Sequence, residues 1–311
     1  MDPSDAVAEL AADPQIFRRL AATLTPPGMA STAGEAVALQ LASAGRSSID
    51  MSREELQVGY TATVPTSTAS LCRHVRETCG QIATLGCEAA TRAHAVGEPL
   101  QQGPQVDTEV RLTIYDAIAH ATADLHMTIR RALTTGEVAV TSETQYTTQS
   151  STGAVAVTHT RAASDQAPFD PHLAACLDFV VDLDAAAADE AQPTDQTAAN
   201  PAPADCRPVP TARLDAYLTA VQETTLTVTS AAKERWSQYK QAADAGPAWT
   251  PPGSPSPIET VPKVAAALAR LELADKVSAD HTTTAIEWIE TATTYSTVTD
   301  PCPDTTAVEH P

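Results

Sequence analysis

Asp116, His120 and Asp124 follow one another at intervals of four residues. If that stretch is helical, the three side chains share one face, where two carboxylates flanking an imidazole can ligate a divalent metal or poise the ring for proton transfer. A metal-dependent enzyme using this face is therefore one reading. The plain alternative is a row of solvated ion pairs, and His126 falls on a different face and adds nothing to the set.

A second set, Cys72, Cys79, Cys87 and His94, has the residue types of a metal site but not the spacing. Residues seven or eight apart on one helix lie roughly 10–12 Å apart along its axis, too far to share an ion. The cysteines then read as small buried hydrophobes, and a disulfide to Cys176, Cys206 or Cys302 stays open. His159 reads as an ordinary surface residue. No Gly-x-Ser-x-Gly turn, no Gly-rich phosphate loop closing on Lys-Ser or Lys-Thr and no Cys-x-x-Cys pair occurs. The expectation is a chain without cofactor, metal or evident small-molecule substrate, and not an enzyme.

Charge narrows the partners. The chain has 39 acidic and 19 basic residues, a formal charge of −20, and its only lysines are Lys233, Lys240, Lys263 and Lys276. Arg73 with Arg76 and Arg130 with Arg131 are the largest basic clusters, so counterion-releasing contact with nucleic acid is not expected. Such a composition suits a high-GC genome or a salt-adapted source. Met1 to Ala12 carries Asp2, Asp5 and Glu9 where a secretory signal would be basic and then apolar, and no run reaches the ~18–20 apolar residues of a membrane span. The sequence predicts a soluble protein with no signal peptide and leaves its compartment open, a virion included.

The elements that would position these residues read mainly as helices. Residues 4 to 45 suggest three short ones, with Asp13-Pro14 and Thr32 with Glu35 as start signals. From Cys72 the series Val75, Cys79, Ile82, Gly86, Ala89, Ala93 and Val96 runs at spacings of three and four, the pattern of a helical seam of about 30 residues, roughly 45 Å long. Val110 to Leu133 reads as its antiparallel partner, ending at Gly136, although Val110, Leu112 and Ile114 also fit a strand. Gly136-Glu-Val-Ala-Val-Thr and Gly153-Ala-Val-Ala-Val-Thr echo each other as the strands of a hairpin.

The resulting fold class is mainly α with a β-hairpin (α+β), a long-helix bundle with extended arms and linkers. Its parts are an N-terminal helical region with two long helices (1–134), the hairpin (135–166), a short helix and acidic Pro/Ala linker (167–210), and a C-terminal helical region with a Pro-rich connection and tail (211–311). With the seam residues and the bulky Trp236 and Trp288 as the interface, the leading expectation is a non-enzymatic structural subunit. It would self-associate or join other subunits, with a virion capsid or tail component as the most concrete form. The alternative from another class is an acidic helical adaptor or regulatory module that meets a basic partner protein.

Overall fold

A computed structural model describes residues 3–44, 54–87, 110–141, 146–150, 153–161, 169–184, 207–245 and 257–293. It overturns the long-helix bundle: the centre of the molecule is a five-stranded parallel sheet in an α/β fold. Its strands are β1 (Val58–Ala62), β2 (Ile82–Gly86), β3 (Leu112–Asp116), β6 (Ala154–Thr160) and β7 (Phe179–Asp182). They lie in the order β2-β3-β6-β1-β7, with Val58 opposite Ala156 on one side and Phe179 on the other, and Leu112 opposite Ile82 and Ala154.

The seam fails at Cys79. Helix α4 (Pro65–Thr78) ends just before it, Cys79 is already extended, and Ile82 opens β2. Ile82 falls at helical spacing from Cys79 only because the first buried residue of a strand comes after a short turn. The second long helix divides likewise, into β3, a 3-10 turn at Ile118–His120 and helix α5 (Ala123–Thr135), so the period of two at Leu112 and Ile114 was the true one. Thr122 caps α5, accepting from the Leu125 amide at 3.4 Å, and Gly136 at φ +69° stops it. A hairpin exists, but between β4 (Glu137–Thr141) and β5 (Tyr146–Ser150); the echo at 154–160 joins the main sheet instead.

Alternation along the strands assigns two cores to two faces. Val58, Tyr60, Ala62, Leu112, Ile114, Ala154, Ala156, Phe179 and Val181 point to one face. There they meet α4, the helices α1 (Pro3–Ala11), α2 (Ile16–Leu24) and α3 (Ser31–Ser43), and a C-terminal helical layer. Tyr115, Val155 and Val157 point to the other face, against α5 and the single-turn α6 (Pro171–Ala174). β1 and most of β6 are buried on both faces.

The C-terminal layer holds α7 (Thr211–Glu223), α8 (Ser230–Ala245), α9 (Pro257–Leu271) and α10 (Ala279–Thr293), with β8 (Thr227–Val228) paired to β9 (Lys276–Val277). The Thr-rich stretch after Glu223 breaks the helical run and supplies β8 before α8 begins at Ser230. Pro262 lies inside α9 and cannot donate to the carbonyl of Ile258; that oxygen instead accepts from Trp236 Nε1 at 3.1 Å. Trp288 Nε1 donates to Glu35 Oε2 at 2.9 Å, and its ring meets Phe179 edge-on at 5.0 Å. Arg270, 1% exposed, donates to the carbonyls of Ala42 and Ser43 at the end of α3 and faces Glu54 at 3.4 Å. No helix among the described residues is long and apolar enough to cross a membrane.

Candidate functional site

The connection from β1 to β2 carries α4 over one face, whereas those from β3 to β6 and from β6 to β7 carry α5 and α6 over the other. β1 and β6 are neighbours whose chains leave over opposite faces, the arrangement that in doubly wound sheets opens a crevice at the carboxyl ends of the strands. Ligands of doubly wound sheets bind in that position.

The β1–α4 turn is where such folds often hold a phosphate, using glycines and a lysine. Here it reads Thr63, Val64, Pro65, Thr66, with no glycine or cation. The Thr63 amide and hydroxyl donate to Asp184 Oδ2, and Arg161 is paired with Asp182. Carboxylates thus dominate this end of the crevice, which disfavours a phosphate.

Asp116 ends β3. Its Oδ1 accepts from Thr158 Oγ1 at 2.6 Å, and the same hydroxyl accepts from the Ala117 amide at 2.9 Å. This clamp holds Ala117 in the left-handed region at φ 56°, a conformation that costs an alanine ~1–2 kcal/mol. Glycine relieves that cost but loses ~0.5–1 kcal/mol of chain entropy. Ala117→Gly is therefore expected to raise unfolding stability by up to about 1 kcal/mol, while the β-branched Ala117→Val lowers it. Denaturant midpoints of the two variants check the sign.

The Asp116, His120 and Asp124 row does not form. These residues stand at a strand end, in the 3-10 turn and in the first turn of α5, so they share no helix face. Among the described residues no group of three or more His, Cys, Asp or Glu side chains could hold a metal ion.

Cys72, Val75, Cys79 and Ile82 are all buried in this chain's own core, and Gly86 ends the outer strand β2. Ala89, Ala93, Val96 and His94 lie outside the described residues, as do Cys206 and Cys302. Trp236 and Trp288 are half-buried within the helical layer.

Cys72, Cys79, Cys87 and Cys176 are free thiols. Burial pushes Cys79 and Cys87 up to about 12, aided by Asp215 and Asp116 respectively, and burial with the Asp116 carboxylate raises Cys72 further still. The unfolded chain releases these protons near pH ~8.5, so above that value the unfolded state binds fewer protons than the folded one. Stability is then full below about pH 8.5 and falls as pH rises toward about 12. Denaturant titrations at pH 7, 9 and 10.5 should show that decline, and iodoacetamide should label Cys176 well before the other three.

A cavity of about 350 Å³ opens beside the crevice, lined by Ile118, Ala119, His126, His159, Phe169, Asp170 and Leu173. Each wall comes from a segment at the carboxyl end of the sheet: the 3-10 turn after β3, the start of α5, the end of β6, and the residues that open α6. Ile118, Phe169 and Leu173 form an apolar floor. The His159 ring lies 5.7 Å from that of Phe169 at 45°. Phe169 reaches this place because Gly59 of β1 has no side chain; a Cβ there would sit 2.5 Å from the Phe169 ring. Asp170 is fixed as the cap of α6, its Oδ1 accepting from the amides of His172 at 2.9 Å and Leu173 at 3.3 Å.

Sequence reasoning had set His126 and His159 aside and passed over Asp170. The available signal was Asp170-Pro171, a capping residue with proline at the first helical position, which marks a helix start. No protein-family model matches this chain, and no curated protein matches it.

Proposed function

We propose that this protein binds a small molecule in the cavity between the 3-10 turn and α6. One observation carries the reading: a hollow of about 350 Å³ combines an apolar floor with two imidazoles and a carboxylate, at the carboxyl end of a parallel sheet. Its size is at the lower end of the ~300–1,000 Å³ range of ligand pockets. Of the seam residues, Cys72, Val75, Cys79 and Ile82 are covered by this chain's own core, so these four do not support an assembly interface.

The test is a fragment screen by NMR that follows the ring signals of His126 and His159, in the natural chain and in Ala119→Trp. Ala119 is exposed at the rim, so the added indole blocks the mouth without entering the core. Fragments should shift both rings in the natural chain and neither in the variant. Shifts that persist unchanged in Ala119→Trp, or none from any fragment, would overturn the proposal.

A further inference from the structure

We infer that the ligand of this cavity is an organic cation, an ammonium group on an apolar body; this rests on the binding reading above. Of the seven lining residues, Asp170 alone carries a fixed charge, and neither lysine nor arginine lines the space. Two cations on the neighbouring elements are directed elsewhere: Arg161, just after β6, is paired with Asp182, and Arg130, one turn along α5 from His126, faces Cys176. An anion entering here would meet no lining cation and would bring its charge against a carboxylate.

A cation meets the opposite conditions. Capping α6 holds the Asp170 carboxylate in one place before any ligand arrives, so little ordering is needed on binding. Phe169 supplies an aromatic ring in the floor, a partner for an ammonium group, while Ile118 and Leu173 beside it take the hydrocarbon part. The formal charge of −20 adds a long-range field that concentrates cations at the surface and repels anions.

Three ligands of one size and one ring separate the possibilities: phenethylammonium, 2-phenylethanol and phenylacetate. Each is titrated into the full chain at low and at 0.3 M salt, with the His126 and His159 rings as the readout. Phenethylammonium should bind at least ten-fold more tightly than phenylacetate at both salt concentrations. Asp170→Asn should erase most of that preference while leaving 2-phenylethanol unchanged, and because asparagine caps helices as well as aspartate, the variant keeps its fold.

If the alcohol or the carboxylate binds as tightly as the amine, the cation inference fails and the cavity reading stands. If none of the three moves the ring signals, both fail. A preference for the amine that survives Asp170→Asn, or Ala119→Trp, marks general attraction to an acidic surface and overturns the inference.

Discussion

Lys263→Ala should lower the unfolding free energy by about 3–5 kcal/mol, the range for removing one partner of a buried ion pair. Lys263 Nζ lies 2.8 Å and 3.1 Å from the two oxygens of Asp178, and the two side chains are only 13% and 10% exposed. Asp178 stands just before β7. Its Oδ2 also accepts from the Gln57 amide before β1 at 2.7 Å, and its carbonyl accepts from Thr260 Oγ1 at 3.0 Å. Without the ammonium group, a carboxylate stays where water reaches it poorly, and the join between α9 and the amino end of the sheet loses its central contact.

The size of the loss comes from the stranded charge rather than from the attraction itself. Lys263→Met combined with Asp178→Asn should for that reason recover most of it, since neither residue then carries a charge. Guanidinium titrations of the single and double variants decide the matter. A single variant within about 1 kcal/mol of the natural chain would mean that Asp178 is satisfied without Lys263.

How much of this could be read beforehand depended on whether a signal was local. The stop of α5 at Gly136 was legible because a glycine in the left-handed conformation after a helical run is a property of a few neighbouring residues. The parallel sheet was not. β1 is buried on both faces and shows no alternation of polar and apolar residues, β6 was legible as a strand but as half of a hairpin, and Cys72, Val75, Cys79 and Ile82 keep helical spacing across a real helix end. Parallel strands also need distant partners: Val58 pairs with Ala156 and Phe179, and nothing near Val58 announces either.

The candidate site was illegible for the same reason. His126, His159 and Asp170 are brought to one cavity by the crossovers of the sheet, and each alone looks like a surface residue. The row at Asp116, His120 and Asp124 was legible but false, because its meaning depended on one helix that the αL turn at Ala117 breaks.

Gly34→Ala tests the packing that places α3 beneath the sheet, and its outcome turns on two opposed effects. In a helix interior, alanine is better than glycine by up to ~1 kcal/mol, so propensity alone predicts a gain. Packing predicts a loss. A Cβ at Gly34 would lie 2.2 Å from the Ala21 carbonyl oxygen and from Thr25 Oγ1. That oxygen ends α2 and already accepts from the Thr25 amide at 2.9 Å and hydroxyl at 2.7 Å, so it cannot turn aside alone. The two helices must separate, and overpacking of a close contact costs ~1–3 kcal/mol or more.

Moving α3 also disturbs Gln40, fully buried, whose amide donates to the carbonyls of Leu56 and Val155 and whose oxygen accepts from Tyr60 at 2.9 Å. These bonds tie α3 to both β1 and β6, and polar groups without partners there cost ~1–3 kcal/mol each. The clash therefore outweighs the propensity gain, and Gly34→Ala should lose at least ~2 kcal/mol. Gly86→Ala, where a Cβ meets nothing within 4 Å, should change stability by less than ~0.5 kcal/mol. Equal midpoints for the two variants would show that α2 and α3 do not approach this closely in solution.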